Sequence, residues 1–281
     1  MIECVVNISE GRDRRRVELV AEGAKDVLLD LHVDGDHNRS VLTLGGEGSE
    51  VEAAARQVVE RAIETIDLRE HAGVHPRMGA ADVVPFVPLD GAVDAVIGAR
   101  DRTARFIGDV LGVPSFLYGP ERTLPAVRRD AFSRLLPDYG PPRPHPRAGA
   151  SAVGARSSLV AWNVWIEGPE VGAAEPTAGV ADLARQVAAA VRRPDLRAIG
   201  VPYGRGAQVS CNLVDPARLG PDRAYDLITE ALEHRGGTVV RTELVGLVPE
   251  SVLRSTPTHR WRELDLSASR TIEARLEART S

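Results

Sequence analysis

Lysine is almost absent from this chain: Lys25 stands alone among 35 basic residues in a sequence of 281. Schiff-base chemistry needs a lysine amine, and Lys25 sits in a polar, helix-like stretch, which argues against pyridoxal-phosphate and lysine-aldolase mechanisms. Anionic ligands are then left to arginine and backbone N–H groups, and arginine suits carboxylates by bidentate pairing. Aromatic residues make up only 4%, so Val, Leu, Ile and Ala must build the core. There are two cysteines, Cys4 and Cys211, both in apolar strand-like runs. They are too few for a metal cluster or a disulfide framework and read as buried thiols. No apolar run reaches the roughly 18 residues of a membrane span. Glu3 and the arginines from Arg12 to Arg16 rule against a signal-peptide core, so a cytoplasmic protein is expected. The net charge of −5 lacks the basic surplus of a nucleic-acid binder.

What is present is globular: 43% hydrophobic and 27% charged residues, in a length comfortable for two domains. Residues 2–9 read as a strand, 13–24 as a helix, and 27–33 and 40–44 as two strands. Gly45 to Gly48 forms a turn, and Ser49 with Glu52 matches a capping box. Val51, Ala55, Val58, Ala62 and Ile66 then recur at helical spacing. After a loop from Arg69 to Ala80, residues 82–89 read as a strand, which Pro85 and Pro88 should confine to an edge or end early. A helix over 93–111, a strand over 113–118 and a helix over 124–136 follow. Pro137, Pro141, Pro142, Pro144 and Pro146 preclude regular structure in the next stretch. A domain boundary is placed just beyond it, near Arg156. The second half reads as strand 159–166, helix 179–192, strands 197–201 and 207–214, helix 222–234 and strand 238–248.

Both halves therefore open in the β-α-β-β-α-β order of the ferredoxin-like split unit. The fold expected is α+β: two related subdomains, each a mostly antiparallel sheet with helices on one face. The boundaries are 1–156 and 157–250, and 251–281 reads as a polar helical tail packed across the surface.

Among the motifs, Gly45 to Gly48 lacks both the dinucleotide-binding spacing and the Walker lysine, and reads as a strand-to-helix turn. His71 and His75 stand four apart, but Gly73 and Pro76 argue against a helix and no Glu follows His71, so no metal site is expected. Asp34-Gly35-Asp36-His37-Asn38-Arg39 concentrates charge between two strands, with a solvated turn as the plain alternative. Gly73-Val74-His75-Pro76-Arg77-Met78-Gly79-Ala80 is the most informative segment. Proline extends the backbone of His75, the glycines permit a close path past a ligand, and imidazole can both take and give a proton near neutrality. A turn histidine without a role is the alternative there. Arg143, His145, Arg147 and Arg156 cluster about the proline-rich stretch, as a solvated linker or an anion groove.

Taken together, these segments resemble the formiminotransferase family. The matching stretches are Glu3-Cys4-Val5 with Asn7 and Ser9-Glu10-Gly11-Arg12; Asp36-His37-Asn38-Arg39-Ser40; His75-Pro76-Arg77-Met78-Gly79-Ala80 running into Asp82-Val83-Val84-Pro85-Phe86; Asp138-Tyr139-Gly140; Gly149-Ala150 with Gly154-Ala155-Arg156; Ala207-Gln208-Val209-Ser210 with Asn212-Leu213; and Val245-Gly246-Leu247-Val248-Pro249.

The resemblance implies transfer of a formimidoyl group between N-formimidoyl-L-glutamate and tetrahydrofolate, the latter a co-substrate, with no metal. It implies an N- and a C-subdomain with folate bound between them, and a homodimer. The catalytic histidine of the family matches His75, and its folate-binding stretch matches Gly140 to Gly149. The cyclodeaminase domain of bifunctional members does not follow, so that second activity is expected to be absent. Some members carry a catalytic Asp at the position of His32; here Asp34 or Asp36 is the candidate substitute. The cationic amidine calls for a carboxylate, from Asp34, Asp36, Glu10 or Asp82. Arg39, Arg77, Arg147 and Arg156 are assigned to the carboxylates of glutamate and folate. Asn7, Asn38, Gln208 and Asn212 are assigned to the pterin edge, and Arg143 and His145 to the folate stretch. A transferase acting on a different amine, or a non-catalytic folate-binding protein, are the alternatives.

Overall fold

A computed structural model describes residues 1–281 except Lys25, His75, Ala92, 169–175, Gly204, Arg205 and Ser281. The expected role of His75 and the setting of Lys25 thus lie outside the described residues. The chain divides into two units, Met1–Ser157 and Ser158–Ser281.

In the first unit the order is β1 (Ile2–Ile8), α1 (Arg14–Ala21), β2 (Leu28–Asp34), β3 (Arg39–Gly46), α2 (Gly48–Thr65), β4 (Ala81–Pro88), α3 (Val93–Arg105), β5 (Ser115–Tyr118), α4 (Leu124–Asp130) and β6 (Ser151–Ala155). Its six strands lie in the order β2-β3-β1-β4-β6-β5. The first four are the ferredoxin-like antiparallel core; β6 pairs parallel with both β4 and β5. Helix α2 buries Val51, Ala54, Ala55, Val58, Val59 and Ala62, the stripe that its periodicity demands. These side chains meet Cys4, Val6, Leu42, Leu44, Val84 and Phe86 in the main core. Alternation sends Val83, Phe116 and Ala152 to the other face, where they pack with Val127 of α4.

Several local expectations change. The capping box does not form: Glu47 is the N-cap residue, and Glu52 instead takes Arg56 and Arg102. β4 is an interior strand despite its prolines. The β1 pairing runs from Cys4↔Phe86 to Asn7↔Val83 and steps over Pro85, which has no N–H to donate. Residues 131–136 leave the helix, because α4 ends at Asp130. Strand β6 carries no strand signal in its sequence, Ser-Ala-Val-Gly-Ala. Its small residues are needed where it lies: a Cβ on Gly154 would come within 2.1 Å of the Tyr118 ring on the neighbouring strand.

The second unit comprises β7 (Val160–Glu167), α5 (Pro176–Val191), β8 (Leu196–Tyr203), β9 (Gly206–Leu213), α6 (Pro221–Glu233), β10 (Thr238–Val245), α7 (Glu250–Ser255) and α8 (Ile272–Thr280). Its sheet, β10-β7-β9-β8, is antiparallel throughout. The tail is not a surface strap. Val252, Leu253, Leu264 and Leu266 belong to the core, and the buried Trp162 indole donates to the Leu264 carbonyl at 3.0 Å. Both cysteines are buried, and burial raises both thiols, that of Cys211 to about 12. Among the described residues no helix is long and apolar enough to cross a membrane.

Candidate active site

One end of the first sheet gathers four chain segments: the turn after β1, the β2–β3 turn, the loop before β4 and the loop before β6. Their assembly is steric and polar at once. A Cβ on Gly11 would sit 2.1 Å from the Asp34 carbonyl oxygen, and one on Gly73 2.3 Å from that of His37. Glycine is what allows these backbones to touch. Ser9 donates through Oγ to the Gly79 carbonyl at 2.7 Å, and Ser40 to that of Glu10 at 2.6 Å.

Asp82 anchors the loop that carries His75. Its carboxylate is fully buried. Oδ1 accepts the Met78 N–H at 2.7 Å, while Oδ2 accepts Arg39 Nη1 at 2.8 Å and Arg128 Nη2 at 2.7 Å. Arg39 also donates through Nη2 to Asn7 Oδ1 at 2.9 Å. Burial depresses the Arg39 guanidinium below its usual range and the Asp82 charge opposes that shift. Arg128 reaches on to the Pro76 carbonyl at 3.0 Å, and Arg77 Nη2 donates to the His71 carbonyl at 2.9 Å. The residues on both sides of His75 are therefore pinned by arginines.

A second cluster occupies the β2–β3 turn. Asp34 Oδ1 accepts the N–H groups of Asp36 and His37, each at 2.9 Å, and its Oδ2 lies 3.2 Å from His37 Nδ1. Asp34 and His37 are both buried, whereas Asp36 is exposed. Asn38, in a left-handed conformation (φ 49°), accepts the Gly11 N–H at 2.9 Å and donates to the Ala72 carbonyl at 3.1 Å. Its own carbonyl lies 2.9 Å from His71 Nε2. A carbonyl only accepts, so Nε2 carries the proton and Nδ1 presents a lone pair. Nδ1 is buried without a hydrogen-bond partner among the described residues, and burial lowers the pKa of His71. Glu10 is spent on structure: Oε1 accepts the N–H groups of Gly11, Arg12 and Asp13 in the turn that leads into α1.

The stretch after Asp138-Tyr139-Gly140 meets the same loop. Asp138 takes the Leu117 N–H at 2.8 Å and the guanidinium of Arg122, fixing the triplet beside β5. Gly140 (φ 84°) crosses Gly108, within 2.8 Å of where a Cβ would stand. His145 and Gly149 exchange backbone hydrogen bonds of 2.8 Å around a tight turn. His145 Nδ1 accepts the Ala148 N–H at 3.0 Å. Gly149 then pairs with Gly79, and Ala150 N–H donates to the Met78 carbonyl at 2.9 Å. Arg147 turns its Nε to Asp67 at 3.2 Å, Arg156 donates to the Ser157 carbonyl at 2.9 Å, and Arg143 is exposed. Gln208 and Asn212 belong to β9 of the second unit, the former buried and the latter exposed.

The structure thus brings Asn7, Glu10, Asp34, Asn38, Arg39, Arg77 and the 140–149 stretch to one end of one sheet. Sequence reasoning missed His37 as the partner of Asp34, and Arg128 and Arg122 as the guanidinium partners of Asp82 and Asp138. The Asp34–His37 spacing within one turn was a usable signal. For Arg128, 46 residues from Asp82, there was none. A cavity of about 530 Å³ opens at the far end of β1, between α2 and α3, beside Ile2, Glu52, Arg56 and Arg102. None of the candidate residues lines it.

Residues 1–156 match the family model described as the formiminotransferase domain, N-terminal subdomain. The chain is 36% identical to the glutamate formimidoyltransferase of Streptococcus pyogenes serotype M1, with 90% of each chain covered. It is 34% identical to the glutamate formimidoyltransferase of Thermoplasma acidophilum, over 90% of this chain and 89% of that one. It is also 31% identical to the formimidoyltransferase-cyclodeaminase of Rattus norvegicus, over 90% of this chain and 51% of that longer protein. With its loop from His71 to Asp82 held by Arg39, Asp82 and Arg128, and with these relatives matched over nine-tenths of its length, the chain belongs to the formiminotransferase family.

Proposed function

We propose that this protein is a glutamate formimidoyltransferase, which moves a formimidoyl group between N-formimidoyl-L-glutamate and tetrahydrofolate. The observation that carries the reading is the likeness to two proteins of that name over nine-tenths of the chain. The buried Asp82 network beneath the His75-Pro76-Arg77 loop supports it, because it fixes the flanks of the expected catalytic residue.

The chemistry follows from the substrates. The folate N5 amine attacks the amidine carbon and a tetrahedral carbon forms. A proton leaves N5 and another reaches the glutamate nitrogen; the bond from that nitrogen to the carbon breaks, and glutamate departs as an amine. His75 is assigned both transfers, first as base and then as acid, work worth roughly 10²–10⁴ in rate. Asp34 acts through His37, whose Nδ1 it holds, as the acidic element in place of the carboxylate that His32 replaces. Arg77 is assigned to a glutamate carboxylate, and the Gly140 to Gly149 stretch to the folate. A homodimer is the expected assembly.

The test supplies the protein with N-formimidoyl-glutamate and tetrahydrofolate and follows 5-formimidoyl-tetrahydrofolate by absorbance. Turnover with glutamate as the released amine is expected. A panel of amines offered in the reverse direction, with preference for one lacking the side-chain carboxylate, would remove glutamate from the reading.

A further inference from the structure

The loop before β4 is anchored on its two sides by groups of different kind. After His75 the anchors are arginines, which carry their charge at every working pH: Arg128 holds the Pro76 carbonyl, and the Met78 N–H is held by Asp82. Before His75 the anchor is a histidine. His71 Nε2 meets the Asn38 carbonyl at 2.9 Å. Beside it the Asn38 amide donates to the Ala72 carbonyl, and Gly73 lies so close to the His37 carbonyl that a Cβ would come within 2.3 Å of it. The segment also closes on itself, because Arg77 Nη2 donates to the backbone carbonyl of the same His71 at 2.9 Å. His75 lies in sequence between the two ends of that circuit.

Only the neutral imidazole suits this place. Nε2 must carry a proton to meet a carbonyl, so a second proton goes to Nδ1. Nδ1 is buried and has no hydrogen-bond partner among the described residues. A buried N–H without an acceptor costs stability, and its charge would join that of Arg77, whose bond closes the circuit. The charged groups that act on the ring are Arg77 of its own loop and Glu10 and Arg12 of the turn after β1. The β2–β3 turn meets it with the Asn38 carbonyl and keeps Asp34 and His37 against each other. Burial holds the His71 pKa below its usual value; the Asn38 carbonyl and Glu10 oppose that shift, and Arg77 and Arg12 add to it. A glutamine would reach the same carbonyl with no such dependence on protons.

We infer that His71 is a positioning residue for the transfer reaction, which holds the segment leading into His75 only while its own imidazole is neutral. A second proton on His71 releases the segment from the β2–β3 turn, and His75 loses the anchor on one side. Turnover on the acid side then depends on two protons, one that disables the base at His75 and one that unclasps the loop at His71. The rate falls with nearly the square of the proton concentration, not with its first power. Arg77 bonds the backbone carbonyl of residue 71, so replacing the side chain leaves that contact in place. The effect of a substitution therefore falls on kcat and spares the Michaelis constant. This inference rests on the assignment of His75 as the acid–base group in the proposed reaction.

The experiment follows kcat and the Michaelis constant for N-formimidoyl-glutamate on the full chain between about pH 8.5 and 5, with thermal melting at each pH. His71→Ala should lower kcat by about tenfold at about pH 8, the loss of one hydrogen bond that aligns the loop, with the Michaelis constant held within about twofold. His71→Gln should restore kcat at that pH to within about threefold of wild type and reduce the acid limb from nearly two protons to one. The imidazole nitrogen resonances should show His71 as the Nε2–H tautomer. A wild-type level of kcat in His71→Ala overturns the inference, as does an acid limb of equal steepness in His71→Gln and wild type, or an Nδ1–H tautomer. If His71→Ala melts early, His71→Gln decides by the acid limb alone. A wild-type protein without turnover removes the proposed reaction and the role of His71 together; normal wild-type turnover with unaffected variants removes His71 alone.

Discussion

The two units share a βαββαβ order and place their buried polar groups differently. In the first, the carboxylates at the loop end of the sheet are well supplied with donors: Asp82 has three and Glu10 three backbone N–H groups. In the second, the polar atoms of Gln208 and Trp165 lie on the sheet face itself and have no hydrogen-bond partners among the described residues. The difference separates two uses of buried polar groups. A well-supplied carboxylate network fixes the position of neighbouring groups in advance, whereas polar atoms buried without partners cost stability. Disrupting the first should therefore destabilise the fold more than replacing the second by apolar side chains.

The largest effect expected is chemical. His75→Ala should lower turnover by roughly 10²–10⁴ while folate affinity and melting temperature hold, as for loss of one acid–base group. Steady-state kinetics beside calorimetry checks this, and turnover within about threefold of wild type removes the role. Next comes the network itself. Asp82→Ala leaves the Arg39 and Arg128 guanidinium groups facing a buried gap, and should cost about 3 kcal/mol in urea unfolding. A loss below about 1 kcal/mol would mean that the first unit is no more committed than the second.

Arg77→Ala should raise the Michaelis constant for N-formimidoyl-glutamate by about 10- to 150-fold, the value of one buried charged hydrogen bond. A change in kcat alone would return Arg77 to its structural bond with the His71 carbonyl. The smallest effect is that of pH on stability through His71. Burial lowers its folded pKa, so the unfolded chain takes up the proton first as pH falls. The stability that His71 contributes is complete above its unfolded pKa of about 6.5 and declines as pH falls below it. Urea midpoints between about pH 7 and 5.5 for wild type and His71→Asn measure this. Parallel curves would assign the pH dependence to other groups.

The core elements were legible because periodicity reports burial. The α2 stripe at Val51, Ala55, Val58 and Ala62 and the β-branched run of β4 lie where their patterns put them. Elements decided by neighbours were not. β6 is a strand because β4 and β5 flank it, and its small residues answer the Tyr118 ring rather than any propensity of their own. Ser49 and Glu52 matched a local capping rule that two arginines override. At the site, turn chemistry exposed the Asp34–Arg39 segment, but which side chain holds which was hidden. Arg39–Asp82 and Arg128–Asp82 join residues far apart in the chain, and no local pattern encodes a partner.

The place of β6 has a consequence for the order of events during synthesis. It is the last strand of the first unit to leave the ribosome, yet it lies between β4 and β5. Until residues 148–155 emerge, β4 and β5 have an unfilled gap between them. The loop before β4 also lacks its floor, because Gly79, Ala80 and Met78 bond to Ala148, Gly149 and Ala150. A nascent chain halted near Tyr139 would hold the ferredoxin-like core of β1 to β4 with one flank of β4 open to other strands, a hazard for aggregation. The reactive loop therefore cannot set before its whole unit has been made.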